Sequence, residues 1–251
     1  MLLSAVLFDV DGTIAETEDL HRISFNEAFK EFNLDWYWDE PIYKELINIG
    51  SGEKRIMYYI KRAWPEMLDY KNLSKYIDSI HKVKNEIFED FILESEIEMR
   101  PGVMRLINEL KEKNIRMAIV SSTSENNLIT LFERGLGVDP KSTFDLIAHG
   151  DCTKNKRPSP EIYEWILERL RLPSQSCIAI EDSLRGVESA KNANINTIVT
   201  PSIFTKEETF EGAKLVVSDL GEEDKPFKLI KGKSYNNECV NVELLTQIIK
   251  N

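Results

Sequence analysis

Asp9 and Asp11 stand one residue apart at the end of an apolar run, Leu2-Leu3-Ser4-Ala5-Val6-Leu7-Phe8, and Gly12-Thr13 follow them. The run reads as a buried strand. Carboxylates at a strand's carboxyl end point into the crevice where open α/β sheets bind ligands. Two geometries are open. If the strand continues, Asp9 and Asp11 project from one face; if the chain turns at Asp11, as Gly12 permits, that carboxylate swings to another side of a ligand. An ordinary Asp-Gly turn would use the same residues without any chemistry. What argues for chemistry is the rest of the chain. Val120 runs into Ser121-Ser122-Thr123-Ser124, Ala148 into His149-Gly150-Asp151, and Ile180 into Glu181-Asp182-Ser183, with Lys154-Asn155-Lys156-Arg157-Pro158 between the last two. In a parallel sheet these ends share one edge. That edge would gather carboxylates (Asp9, Asp11, Glu181, Asp182), hydroxyls (Ser122, Ser124) and cations (Lys156, Arg157), residue types that suit the positioning and charge neutralisation of phosphoryl transfer.

The elements that must position these residues fall into two textures. From Glu16 to about Glu98 the signals are helical: Leu20, Ile23, Ala28, Phe29 and Phe32 recur near helical spacing, and helices are predicted over Ile42–Ile49, Glu53–Trp64 and Ser74–Ser95. The aromatic stretch Trp36-Tyr37-Trp38 reads as core of this block. From Arg100-Pro101-Gly102 onward, strands alternate with helices. Helices are predicted over Val103–Lys113, Asn126–Arg134, Pro160–Leu170 and Gly186–Asn192. Strands are predicted over Arg116–Val120, Phe144–Ala148, Cys177–Ile180 and Thr197–Val199. This alternation implies a parallel sheet covered on both faces, to which the first strand belongs. The expected fold is therefore α/β: a catalytic core from residues 1–15 and 99–251, and an all-helical insertion, residues 16–98, after the first strand. The tail after Lys225 reads as irregular surface.

The chain has 251 residues and a net charge of −11, which argues against broad nucleic-acid or anionic-membrane binding. No apolar run is long enough for a membrane span, and the core strand begins at once, without room for a leader. Three cysteines, Cys152, Cys177 and Cys239, with no CxxC pair, fit reduced thiols in a cytosol-like compartment.

In motif order the chain resembles the haloacid dehalogenase (HAD) superfamily, in its phosphatase and phosphomutase branch. The resemblance rests on the DxDGT loop Asp9–Thr13, Ser122 at a strand end, a basic residue before a proline (Arg157, with Lys156), and the acidic pair Glu181-Asp182, and it covers residues 1 to about 217. It implies a Rossmann-like core with a small helical cap. Within the insertion, Glu16 to Asn26, Trp36-Tyr37-Trp38-Asp39, Tyr43 and Gly50-Ser51-Gly52-Glu53-Lys54-Arg55 are similar to the CbbY group, implied to be xylulose-1,5-bisphosphate phosphatases.

On that resemblance, Asp9 attacks phosphorus to give an aspartyl-phosphate, and Asp11 acts as general acid and then general base. The latter role requires a raised pKa from burial and a neighbouring carboxylate. Mg²⁺ suits the oxygen-only set; its ligands would be Asp9, the Asp11 carbonyl, Asp182 and Glu181. Ser122, Thr123 and Ser124 would line the phosphate site, and Arg157 or Lys156 would offset the repulsion between Asp9 and the phosphate. Family members carry lysine directly before the proline; here Arg157 stands there and Lys156 one residue earlier. Glu125 stands where related mutases carry lysine for a distal phosphate, which shifts that task to Arg55 or Lys54. Glu18, His21, Tyr43 and Gly52 complete the expected substrate contacts, while His81 and His149 are expected to be structural. The expected partner is a small phosphorylated sugar, with no nucleic acid or membrane, and the chain is expected to be a monomer in the cytoplasm, or in chloroplast stroma if a processed plant chain. The alternatives are a β-phosphoglucomutase or phosphoglycolate phosphatase of the same fold, and a non-catalytic or phospho-acceptor regulator.

Overall fold

A computed structural model describes residues 2–250; Met1 and Asn251, the outermost residues of the expected core segments, lie outside the described residues. The chain divides into two compact units, Met1–Glu16 with Ile97–Asn251, and Thr17–Glu96. In chain order the elements are β1 (Ala5–Phe8), α1 (Glu18–Glu31), α2 (Glu40–Leu46), α3 (Gly52–Ala63) and α4 (Leu73–Glu94). Then come α5 (Val103–Glu112), β2 (Arg116–Val120), α6 (Glu125–Thr130), α7 (Pro140–Thr143), β3 (Leu146–Ala148) and α8 (Glu161–Leu170). The last are β4 (Cys177–Glu181), α9 (Leu184–Asn192), β5 (Asn196–Val199), β6 (Leu215–Val217), β7 (Leu229–Gly232) and α10 (Val242–Lys250).

The α/β unit is built on one seven-stranded sheet of order β3-β2-β1-β4-β5-β6-β7. All neighbours pair in parallel except β6 and β7. β1 sits centrally, with Phe8 in register with Ile119 on one side and Ile180 on the other. All four residues of β1 are buried, which is why the run is apolar without alternation: helices cover both faces. Ala5 and Leu7 pack on the face covered by Ile162, Tyr163 and Ile166 of α8. Phe8 meets Phe144 edge-on at 6.1 Å, and Phe132 meets Phe144 likewise at 5.6 Å. The strand order reverses around β1, so the crevice beyond its carboxyl end is the place where such sheets bind ligands.

The tail is not irregular surface. It forms the edge strand β7 and the helix α10, which buries Leu244, Leu245, Ile248 and Ile249. Those apolar pairs, four residues apart, make one helical stripe. The helix predicted over Asn126–Arg134 is interrupted as well: α6 ends at Thr130 and a single wider turn, Leu131–Gly135, follows.

The helical unit packs around Phe25 and Phe29 of α1. Trp38 lies 4.6 Å from Phe25 and 4.8 Å from Phe29 between ring centroids. Asn26 clamps the Trp38 backbone, accepting from its N–H (2.7 Å) and donating to its carbonyl (2.9 Å). Trp36 and Trp38 are buried as expected of core, but Tyr37, placed between them on a segment without helical structure, is 62% exposed.

Candidate active site

β1 stops at Phe8, and Asp9 still pairs with β4 through its N–H to the Ile180 carbonyl (2.9 Å). The chain then turns: the N–H groups of Thr13 and Ile14 both donate to the Val10 carbonyl, at 3.1 and 2.8 Å. Asp9 and Asp11 therefore do not share a strand face, and of the two open geometries the turned one holds. Gly12 has φ +80°, and a Cβ there would overlap the Asp182 carboxylate and stand 2.8 Å from Ser202 Cβ. Glycine alone lets this loop lie against the end of β4.

Asp9 is 4% exposed. Its Oδ1 pairs with Arg157 Nη1 at 2.8 Å, and its Oδ2 accepts from the Thr13 hydroxyl at 3.3 Å. Arg157 is itself buried, and its Nη2 donates to the Val120 carbonyl (2.7 Å) and to Glu181 Oε1 (2.9 Å). A planar guanidinium can span two carboxylates and a carbonyl in this way, where an ammonium is a point charge. Arg185 donates to the Arg157 carbonyl. From α8, the fully buried Tyr163 donates to Glu181 Oε1. Lys156 does not join the cluster; its Nζ donates to the carbonyls of Gly150 and Thr153, the latter at 2.8 Å, and so braces the loop before the proline.

Burial pushes the Asp9 carboxyl above its ordinary range, against the pull of Arg157. Burial likewise drives Glu181 and the Tyr163 hydroxyl well up. It also works against the Arg157 charge, but the facing carboxylates of Asp9 and Glu181 outweigh it and hold its pKa above the usual arginine value. The cluster is thus short of positive charge. Oxygen atoms of Asp9, Glu181 and Asp182 lie within 4.8 Å of one another, and Glu181 Oε2 is buried without a hydrogen-bond partner. An orphaned buried carboxylate oxygen in an all-oxygen donor set fits a hard divalent cation.

Asp11 is half-buried, and its Oδ2 accepts from the Thr123 hydroxyl at 2.6 Å. The loop after β2 is held by Ser121, whose Oγ accepts from the Thr123 N–H at 3.1 Å, and by the Gly150 N–H on the Thr123 carbonyl at 2.7 Å. Ser122 is exposed, and Ser124 caps α6, accepting from the Asn127 N–H. His149 lies between Glu125 (3.8 Å) and Asp151 (3.5 Å).

In the helical unit, Glu18, Tyr43 and Arg55 form one network. The Tyr43 hydroxyl donates to Glu18 Oε1 at 2.7 Å, and Arg55 Nη1 donates to Tyr43 Oη at 2.8 Å and to Glu18 Oε1 at 3.2 Å. Lys54 is exposed. Gly52 opens α3 against the His81 ring, which a Cβ would overlap, so its observed contact is internal to the unit. His21 is buried, stacks on Phe88 at 3.8 Å, and brings Nδ1 to 2.6 Å from Lys84 Nζ.

Among the residues of these clusters that were not singled out from sequence, three show why. Lys84 falls four residues after Ile80 and four before Phe88, on the apolar stripe of α4, and a lysine on such a stripe was the available signal. Tyr163 lies on the stripe Tyr163, Ile166, Leu170 of α8, where an aromatic reads as packing. Thr205, whose hydroxyl donates to the Asp182 carbonyl at 2.7 Å, follows no element and carried no signal.

The model of the haloacid dehalogenase-like hydrolase family matches residues 6–200. Protein CbbY of Cupriavidus necator is 39% identical over 224 residues, 89% of this chain and 88% of that one. A crystal structure of CbbY from Rhodobacter sphaeroides, an aspartate-to-asparagine variant in complex with xylulose-(1,5)bisphosphate, is 39% identical, with a TM-score of 0.81 over 87% of this chain and 95% of that chain. A β-phosphoglucomutase from Clostridium difficile is 25% identical, with a TM-score of 0.71 over 86% of this chain and 91% of that chain.

Proposed function

The chain belongs to the haloacid dehalogenase-like hydrolases, and from that premise we propose that it is a Mg²⁺-dependent phosphatase of a sugar bisphosphate, converting xylulose-1,5-bisphosphate to xylulose-5-phosphate. The observation that carries the reading is the Asp9 carboxylate, gripped by Arg157 and Thr13 inside the acidic cluster, with Asp11 on the turn just beyond it. The substrate rests on the CbbY relatives and on the ligand of the Rhodobacter sphaeroides protein. We read the α/β unit, residues 1–16 and 97–251, as the catalytic core and the helical unit, residues 17–96, as the cap.

Asp9 Oδ forms a bond to phosphorus as the bond from phosphorus to the sugar oxygen breaks. The leaving alkoxide takes its proton from the Asp11 carboxyl. Asp11, now a carboxylate, removes a proton from water, which attacks the aspartyl-phosphate and releases inorganic phosphate, restoring Asp9. The Thr123 hydroxyl, donating to Asp11 Oδ2, orients the carboxyl for that transfer. Arg157 neutralises part of the charge that would repel phosphate from Asp9, and the Ser122 hydroxyl binds a phosphoryl oxygen. Mg²⁺, held by Asp9, the Asp11 carbonyl, Asp182 and Glu181, would supply the remaining charge. Arg55 answers the second phosphate, with Glu18 and Tyr43 as partners for sugar hydroxyls and His21 a further contact from the same unit. Three free thiols support a reducing, cytosol-like compartment.

The test is phosphate release with Mg²⁺ from xylulose-1,5-bisphosphate, ribulose-1,5-bisphosphate, β-glucose-1-phosphate and phosphoglycolate, with Asp9→Asn as blank. Preference for the first substrate, abolished in the variant, is expected. A preference for another keeps the chemistry and overturns the substrate; release from none, or release unaffected by Asp9→Asn, overturns the reading.

A further inference from the structure

Arg100 stands just after the chain re-enters the α/β unit at Ile97. Its N–H donates to the Ile14 carbonyl (2.8 Å), and Met99 bridges Ala15, so the outgoing and returning segments run side by side. The side chain is only 10% exposed. Its Nε pairs with Glu16 at 3.2 Å. Nη1 donates to the Gly12 carbonyl and to Thr200, at 2.8 Å to its carbonyl and 3.1 Å to its hydroxyl. Nη2 donates to the carbonyls of Pro201 (2.8 Å) and Ser218 (3.4 Å). A guanidinium has five donors in a fixed fork, and here every nitrogen is engaged, on segments that are distant in sequence.

Two of those segments hold the acidic cluster. Gly12 lies within the turn that carries Asp11, and a Cβ there would overlap the Asp182 carboxylate. The Thr200–Thr205 segment cradles Asp182 from the other side: Thr200 N–H donates to the Glu181 carbonyl (2.9 Å), and the Thr205 hydroxyl donates to the Asp182 carbonyl (2.7 Å) and lies 3.3 Å from its carboxylate. Arg105, at the start of α5, supplies the contrast. It also fans onto carbonyls, those of Leu220 (3.1 Å), Gly221 (3.1 Å) and Val240 (2.8 Å), but none of these flanks the acidic cluster.

We propose that Arg100 is a positioning residue for the cation site: touching no ligand, it fixes the turn bearing Asp9 and Asp11 against the segment that cradles Asp182, and so sets the spacing of the carboxylates. The proposal rests on the reading of the cluster as a Mg²⁺ site. Groups that orient metal ligands from outside alter metal affinity by about 10- to 100-fold when removed. A Lys at position 100 keeps the charge beside Glu16 but cannot span the two segments.

The experiment is calorimetric titration of the full chain with Mg²⁺ alone, for wild type, Arg100→Met, Arg100→Lys and Arg105→Met. Weakening of about tenfold is expected for Arg100→Met, with a smaller loss for Arg100→Lys and none for Arg105→Met, whose melting temperature nonetheless falls. In steady state, the Mg²⁺ concentration for half-maximal rate should rise in Arg100→Met by the factor seen in the titration. If Arg100→Met does not fold, Arg100→Lys carries the test. Wild-type affinity in whichever Arg100 variant folds, or equal weakening in Arg105→Met, overturns the proposal alone. A wild-type protein that takes up no Mg²⁺ overturns the reading of the site, and the proposal with it.

Discussion

The two units of this chain both bury charge, and they compensate it differently. In the α/β unit a buried cation meets buried carboxylates directly: Arg157 lies 2.8 Å from Asp9 and 2.9 Å from Glu181. In the helical unit the Lys84 ammonium meets a ring nitrogen of His21 at 2.6 Å and lies over the rings of Phe25 and Phe88, at 5.2 and 4.8 Å from their centroids. The first arrangement leaves an excess of negative charge that a hard cation can answer. The second spreads a positive charge over aromatic faces, a weaker compensation worth about 2 kcal/mol or less per ring. On the proposed reading, the strand-end cluster makes and breaks the bonds to phosphate and the helical unit recognises the rest of the substrate.

If that division holds, Asp11→Asn gives the largest effect on rate. Loss of one general acid–base group lowers kcat by about 10²- to 10⁴-fold. Because the proposed Asp11 contact to Mg²⁺ is its carbonyl, Mg²⁺ affinity should be retained. A single-turnover measurement of phosphate release checks the first point and calorimetry the second; an unchanged kcat removes Asp11 from the proton transfers.

Arg157 sharpens the comparison through stability. Arg157→Met leaves Asp9 and Glu181 buried without their cation, and removing one partner of a buried pair costs about 3–5 kcal/mol. Arg157→Lys keeps the charge but not the span between the two carboxylates, so it should melt between wild type and Arg157→Met. Lys84→Met, with a side chain of similar length, should cost less than Arg157→Met, because the thioether still packs on the Phe25 and Phe88 rings that the ammonium faces. Urea denaturation of the three variants ranks them, and a Lys84→Met loss equal to that of Arg157→Met breaks the contrast.

Arg55 tests the recognition half. Its charged hydrogen bonds link Tyr43 and Glu18, and a hydrogen bond to a charged group contributes about 1.5–3 kcal/mol. Arg55→Met should therefore raise KM for a bisphosphate by about 10- to 100-fold while changing kcat little, the reverse of Asp11→Asn. A KM for a monophosphate sugar that rises equally would detach Arg55 from the second phosphate.

How much of this was legible in the sequence follows from how each site is assembled. Asp9, Glu181 and Asp182 stand where apolar strands run out, so the topology of a parallel sheet brings them together without knowledge of packing. Whether Arg157 or Lys156 entered the cluster was not legible, since adjacent residues in a loop part company only once the backbone course is known. Tyr163, Lys84 and Arg100 act from a helix face, a helix stripe and a linker; their partners are set by tertiary contacts across the chain. The tail was legible and was misread: Leu244-Leu245 and Ile248-Ile249 carry helical spacing within a short segment after charged, turn-like residues.

The smallest expected effect concerns acid, and here the two units differ in sign. Glu53, at the start of α3, pairs with His81 Nδ1 at 2.8 Å. Burial acts to raise its carboxyl pKa, but the hydrogen bond and charge of His81 win and bring it from 4.5 down to about 2. A lowered folded-state pKa means the folded unit prefers Glu53 ionised, so its contribution is present above pH 4.5 and is lost as pH falls towards about 2. Asp9 and Glu181 are raised instead, so their protonation as pH falls favours the folded α/β unit when no cation is bound. Glu53→Gln should therefore melt below wild type at neutral pH, and the gap should close as pH falls from 4.5 to about 2. Trp36, Trp38 and Trp64 lie in the helical unit and Trp165 alone in the other, so tryptophan fluorescence follows chiefly the unit that contains Glu53. With 40% of its side chain exposed, Glu53 is partly screened by water, and the shift should be a few degrees at most. A gap that persists unchanged at the acid end would mean that the ionised pair contributes nothing and that Glu53 acts by packing on α3.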